Sequence, residues 1–200
     1  MTRHDPLAAL ADDPAVDLAP LRARLATDAD AAGLLDVAYR TLDTPVGALL
    51  LAATEHGLVR VAYAVEDHDV VLGTLAEQVS PRVLHAPARL DAVAREVDEY
   101  FAGRRSSFDV ALDLRLASGF RRRVLDHLAD IAYGSTASYA AVASLAGSPA
   151  AVRAVGTACA RNPLPVVLPC HRVVRADGSL GQYVGGADAK QALLVLEGAA

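Results

Sequence analysis

No fold built wholly of strands or wholly of helices accommodates the way apolar residues are spaced along this chain. From Asp36 onward, Val37, Tyr39 and Leu42 alternate with polar neighbours, the period of a half-buried strand. Leu49–Ala53 and Leu58–Tyr63 read as two more strands, separated by Thr44-Pro45-Val46-Gly47 and Glu55-His56-Gly57 as turns. Beyond Ser118 the spacing changes to that of a helix: Phe120, Val124, Leu125, Leu128 and Ile131 form one stripe. The chain is therefore expected to be α+β, a small antiparallel-sheet N-terminal domain followed by a mainly helical C-terminal domain.

Helices are expected at about 67–79 and 88–102, the second carrying Leu90, Val93, Ala94, Val97, Tyr100 and Phe101 on one side and ending at Gly103. A short strand is expected from Phe108 to Leu114. The boundary falls near 115–118, giving an N-terminal α/β domain at 38–116 and a second domain at 117–200. Residues 1–37 are Ala- and Asp-rich and broken by Pro6, Pro14 and Pro20. They read as an extension, disordered or loosely docked, with a short helix such as 18–27. In the second domain Ser138 is placed to cap a short helix through Leu145. Ser148 and Pro149 are placed to start another, running to about Arg161. Two short helices across a Gly-containing turn resemble a helix-turn-helix. A last helix is expected from Lys190 to Glu197.

Composition narrows the function. The only cysteines are Cys159 and Cys170, too few for a disulfide framework or a four-cysteine zinc site, and the six histidines are scattered. Neither a metal nor a cofactor is expected. No apolar stretch approaches the roughly 18 residues of a membrane span. The acidic opening does not read as a secretion signal, so a cytoplasmic location and no membrane partner are expected. The net charge of −5 conceals an asymmetry: residues 1–117 hold 11 arginines against 19 acids, residues 118–200 hold 8 basic residues against 5 acids. The positive half is the candidate for touching phosphate, although on charge alone a solvated basic face is the favoured reading.

A thiol reacts as its thiolate, and a free cysteine near neutral pH is only a few per cent ionised. Neighbouring residues on a regular strand point to opposite faces, so Cys170 and His171 can meet only if the backbone turns there. Pro169 permits that. Taken alone, a Cys-His pair of this kind is more often a small buried hydrophobe beside an unrelated imidazole.

The surroundings reverse that weighting. Arg153-Ala154-Val155-Gly156, Asn162-Pro163, Pro169-Cys170-His171-Arg172-Val173, Gly178, Tyr183 and Gly185-Gly186 are similar to the active-site stretch of the O6-alkylguanine-DNA alkyltransferases. Gly134, Ser138-Tyr139, Lys190, Leu193-Leu194 and Glu197-Gly198 also match. So do Thr44-Pro45-Val46-Gly47, Gly57-Leu58 and Tyr100-Phe101-Ala102-Gly103 in the first half. The resemblance covers about residues 37–198.

The resemblance implies direct-reversal DNA repair in a single turnover. Cys170 would accept the alkyl group of O6-alkylguanine, and His171 would take the thiol proton through a water. Glu197 would orient the imidazole, and Tyr139 would donate to a ring nitrogen of the departing guanine. It places Tyr183, Val184, Gly185 and Gly186 on the base pocket. Arg153 would stand where the extruded base had been, and Ala154 would belong to a slim helix entering the minor groove. Asn162 would brace the active-site loop, Arg172 would hold that loop structurally, and Arg121 would contact phosphate. The implied partner is double-stranded DNA containing O6-alkylguanine, bound by a monomer. Val184 departs from the small residue many members carry, no tryptophan is present, and the zinc ligands of some relatives have no counterpart. Two other classes compete: a lesion-binding module without transfer, against which Cys170 itself argues, and an unrelated cysteine hydrolase, in which Cys and His are usually far apart in sequence.

Overall fold

The computed structural model describes residues 18–199; residues 1–17 and Ala200 lie outside it, and with them the first part of the expected extension. The first described element is a helix, α1 (Ala19–Ala31), longer than the expected 18–27 and started by Pro20 in its first turn. Its Ala26 and Ala29 are buried.

The three expected strands form: β1 (Val37–Leu42), β2 (Leu49–Thr54) and β3 (Gly57–Tyr63), with antiparallel neighbours. A fourth, β4 (Val83–His85), joins β1 in parallel, so the sheet is mixed, in the order β3-β2-β1-β4. All six residues of β2 are buried, and its Leu-Leu-Leu-Ala-Ala run fits a strand covered on both faces. Side chains alternate across a strand. Leu49, Leu51 and Ala53 accordingly join one core while Leu50 and Ala52 join another. The second core is closed by Val71 and Leu75 of α2 (His68–Gln78), which Asp67 caps. The first is shared with α3 (Asp91–Phe101) and with the helices that follow.

The stretch 108–114 is not the strand expected from its composition. It touches β3 at one parallel bridge, Leu58 with Leu112, through Leu58 N–H to the Ala111 carbonyl (2.8 Å) and Asp113 N–H to the Leu58 carbonyl (2.9 Å). The crossing is so close that only glycine fits at 57, where φ is +135° and a Cβ would lie 2.3 Å from the Ala111 oxygen.

The C-terminal part comprises α4 (Gly119–Leu128), α5 (Tyr139–Leu145), α6 (Val152–Ala160) and α7 (Gly186–Leu196). A two-strand parallel ladder joins β5 (Ala137–Ser138) to β6 (Val173–Val174). Val124, Leu125 and Leu128 bury the expected stripe of α4. Ser138 caps α5 by accepting from Ala141 N–H at 3.1 Å. Ser118 sits at the N-cap of α4 without a side-chain cap bond. Ser148 and Pro149 do not start α6. They form a turn closed by Ala151 N–H on the Ser148 carbonyl (2.8 Å), and the helix begins at Val152. α7 begins at Gly186, earlier than the expected Lys190.

Candidate active site

The site is built on one irregular segment between α6 and β6. After α6 the chain reaches Asn162, which is buried. Its side-chain amide donates to the Leu168 carbonyl (2.8 Å) and to Cys170 Sγ (3.2 Å), while its Oδ1 accepts from Leu164 N–H (3.0 Å). Asn162 thus ties both ends of the 163–168 loop. Within that loop Val166 is buried with φ of +72°, costly for a β-branched residue and held by its surroundings.

Cys170–Arg172 then form one turn of 3₁₀ helix. Three residues per turn rotate successive side chains by about 120°, whereas a strand would have sent them to opposite faces. All three are buried. This is the backbone irregularity that Pro169 permits.

Glu197, just past α7, gathers the segment. Its Oε1 accepts from His171 Nε2 (2.9 Å), Arg172 Nη2 (2.9 Å) and the Tyr100 hydroxyl (2.5 Å), and its Oε2 accepts from Arg172 Nε (2.8 Å). Arg172 also donates to the Ile131 carbonyl (2.5 Å) and lies over the Tyr133 ring. A carboxylate only accepts, so the imidazole proton is on Nε2 and Nδ1 keeps its lone pair. Nδ1 is buried and has no hydrogen-bond partner among the described residues.

The charges follow from these contacts. Burial pushes the Cys170 thiol up to about 11, against the Asn162 hydrogen bond and the Lys190 charge, which pull it down. Burial lowers His171 below its ordinary value although Glu197 opposes it, so the imidazole is neutral. Burial alone would raise Glu197, but donation from His171, Arg172 and Tyr100 outweighs it and brings the carboxyl to about 2. Lys190 is fully buried with its ammonium on the Val173 carbonyl (2.6 Å).

Beside this cluster opens a cleft of about 580 Å³, with Arg175, Gly181, Tyr183, Val184 and Gly186 on its walls. Three of the four expected pocket residues therefore line it; Gly185 packs behind, against Tyr63. The Tyr183 ring stands edge-on to His171, centroids 6.3 Å apart. Tyr139, at the start of α5, is half-buried and its phenol is kept protonated by burial. The 180–183 segment lies against it: a Cβ at Gly181 would fall 2.6 Å from the Tyr139 hydroxyl. Cys170 itself is 2% exposed.

On α6, Arg153, Ala154 and Thr157 are exposed while Val155, Ala158 and Cys159 are buried. A second cleft, of about 440 Å³, runs between α4 and α6 with Arg121, Ala154, Thr157 and Arg161 on its walls. Arg121 is partly committed there, since its guanidinium donates to the Leu116 carbonyl.

Two residues of the N-terminal domain were not anticipated at this site. Tyr100 reads as one more apolar position on the buried stripe of α3, and Tyr63 as the end of a strand. Neither carries a local signal for its partner, Glu197 or Tyr183.

Two family models match the chain. One describes the 6-O-methylguanine DNA methyltransferase ribonuclease-like domain, over residues 37–114, and the other its DNA-binding domain, over 119–199. A methylated-DNA–protein-cysteine methyltransferase of Mycolicibacterium paratuberculosis is 40% identical over 161 residues, 80% of this chain and 92% of that protein. Its counterpart in Mycobacterium tuberculosis is 41% identical over 162 residues, 80% of this chain and 91% of that protein. Among solved structures, the Mycobacterium tuberculosis O6-methylguanine methyltransferase superposes with a TM-score of 0.72 at 38% identity, covering 81% of this chain and 93% of that one. The same organism's OGT in complex with DNA superposes at 0.70 and 39% identity, covering 80% and 92%. The α1 helix precedes both family matches.

Proposed function

The chain belongs to the 6-O-methylguanine DNA methyltransferase family, and from that membership we propose that it repairs DNA by direct reversal, moving the alkyl group of O6-alkylguanine onto Cys170 in a single turnover. The observation that carries this reading is the buried turn that holds Cys170 next to His171, with Glu197 fixing the tautomer that leaves His171 Nδ1 as a base.

In the reaction the bond from Cys170 Sγ to the alkyl carbon forms as the bond from that carbon to O6 breaks. The thiol proton passes to His171 Nδ1 through one water, and the Glu197 carboxylate stabilises the imidazolium that forms. The electron pair leaves with guanine, whose ring nitrogen takes a proton from Tyr139, and the proton held by His171 returns through solvent to Tyr139, so the products are the thioether and neutral guanine. The thioether left on Cys170 is stable, so each molecule acts once, with no cofactor.

The target atom lies inside a base stack and has to be extruded, at a cost of a few kcal/mol. A helix-turn-helix of α5 and α6 in the minor groove supports this. Arg153 fills the vacated space, Ala154 keeps the face slim, and Arg121 and Arg161 line the cleft where phosphate passes. Val184 is on the wall of the cleft proposed as the base pocket. One chain supplies every group, which fits a monomer acting in the cytoplasm; among the described residues no helix is long and apolar enough to cross a membrane.

The test is intact-mass measurement after incubation with a duplex oligonucleotide containing O6-methylguanine. One methyl group gained on Cys170, and none in Cys170→Ala, is the expected result. Tight binding without a mass change would replace transfer by lesion sensing.

A further inference from the structure

Gly185 has φ of −81°, which any residue adopts, so its backbone does not call for glycine. The reason for glycine lies in the N-terminal domain. A Cβ at 185 would fall 2.6 Å from Cε1 and 2.7 Å from Cζ of Tyr63, closer than non-bonded carbons approach. Tyr63 ends β3 and is 3% exposed. Its hydroxyl is 3.0 Å from that of Tyr183, and the two rings meet edge to face, centroids 5.7 Å apart at 77°. Tyr183 in turn stands at 87° to the His171 ring.

Tyr63 is itself held rigidly. Its N–H donates to Glu66 (2.9 Å), Glu66 pairs with Arg60, and Arg60 donates to the Asn162 carbonyl (3.4 Å). Val61, two residues earlier, donates its N–H to the Pro163 carbonyl (2.8 Å). The end of β3 is thus bonded to the same loop that carries Cys170. Burial keeps the Tyr63 phenol protonated.

We propose that Tyr63 is a specificity-determining residue: its ring fills the space behind Gly185 and its hydroxyl fixes the tilt of Tyr183, so the N-terminal domain limits the size of alkyl group the pocket accepts. Tyr63 touches no reacting atom and acts as a positioning residue. The inference rests on reading Tyr183–Gly186 as the wall against which the guanine and its alkyl group lie.

Removing the ring opens room at that wall. Removing only the hydroxyl frees Tyr183 without opening room. The two effects separate in rates of transfer from duplex oligonucleotides carrying O6-methylguanine or O6-benzylguanine, measured on the full chain together with thermal unfolding of each variant. In Tyr63→Ala the benzyl-to-methyl rate ratio rises about tenfold or more, within the range that pocket volume typically controls. Tyr63→Phe restores the wild-type ratio to within about twofold while slowing both substrates. Tyr63→Leu, which keeps part of the apolar volume, shows the same direction of change and serves where Tyr63→Ala does not fold. Gly185→Ala slows methyl transfer about thirtyfold or more alone, and regains about tenfold of that when combined with Tyr63→Ala, because the pair shares one space.

Equal losses from Gly185→Ala in both backgrounds, or an unchanged benzyl-to-methyl ratio in Tyr63→Ala and Tyr63→Leu, would overturn the inference. Failure of the pocket reading itself looks different: Gly185→Ala and Tyr183→Ala would then leave methyl transfer at the wild-type rate, and the inference would fall with it.

Discussion

Burial of Cys170 works against its own chemistry. A thiol pushed up to about 11 is almost entirely protonated at neutral pH. The proposed transfer therefore depends on a base that is neutral where the thiol is not ionised, and burial of His171, which lowers the imidazole below its ordinary 6.5, fits it for that role. The sign of the pH dependence follows. The neutral imidazole is the active form and protonation removes it, so the wild-type transfer rate holds level from pH 9 down to about 6.5 and falls only below that. His171→Ala leaves hydroxide as the base. Its rate at pH 7 is lower by about a hundredfold or more, and it climbs about tenfold per pH unit between 7 and 10, toward the high thiol value. A flat profile in His171→Ala, measured by rapid-quench transfer, would remove His171 from the proton path. These residues were legible in the sequence through their motif. The tautomer was not, because it depends on Nε2 meeting a carboxylate 26 positions away.

The helices position chemistry that they do not perform. α6 buries Val155, Ala158 and Cys159 and exposes Arg153, Ala154 and Thr157, so one stripe anchors it and the other is free for a groove. Arg153→Ala is expected to slow transfer from duplex DNA by about tenfold or more, since base extrusion costs a few kcal/mol and loses its support. It should leave transfer from free O6-benzylguanine unchanged, because no base has to be extruded from that substrate. Loss on both substrates would place Arg153 in the fold rather than on the DNA. Asn162→Ala should do the opposite. It leaves the Leu164 N–H without its partner in a buried loop, at about 1–3 kcal/mol, takes one of two donors from the Leu168 carbonyl, and slows both substrates alike. Denaturant midpoints and the two rates check this. Element existence was readable from spacing here, but several ends were not. Pro149 permits a helix start, yet Ala151 N–H closes a turn on Ser148 first. Residues 108–114 have a strand-like composition, yet they meet β3 at a single residue.

At the scale of the molecule, the N-terminal domain closes a site whose motif lies wholly in the C-terminal part. Tyr63 meets Tyr183 across 120 positions and Tyr100 meets Glu197 across 97. Neither contact has a local signal, because strand and helix periodicity report only which face is buried and not what lies across it. The Tyr100–Glu197 bond ties the two parts of the structure through one carboxylate, and its pH dependence has a definite sign. Glu197 titrates lower folded than unfolded, so its contribution is fully present above about pH 4.5 and is lost as pH falls toward about 2. His171, buried neutral, acts in the same direction from about pH 6.5 downward, since the unfolded chain takes up that proton first. Other carboxylates add to the overall acid loss, and comparison with Tyr100→Phe isolates the part belonging to Glu197. At pH 7 the variant should be less stable by about 1.5–3 kcal/mol, the usual worth of a hydrogen bond to a charged group. Protonation of Glu197 takes that charge away, so the gap between wild type and variant in urea midpoints should narrow as pH falls from about 4.5 toward about 2. A gap of constant size across that range would mean that Tyr100 stabilises the molecule by packing alone, and that Glu197 is not the titrating link between its two parts.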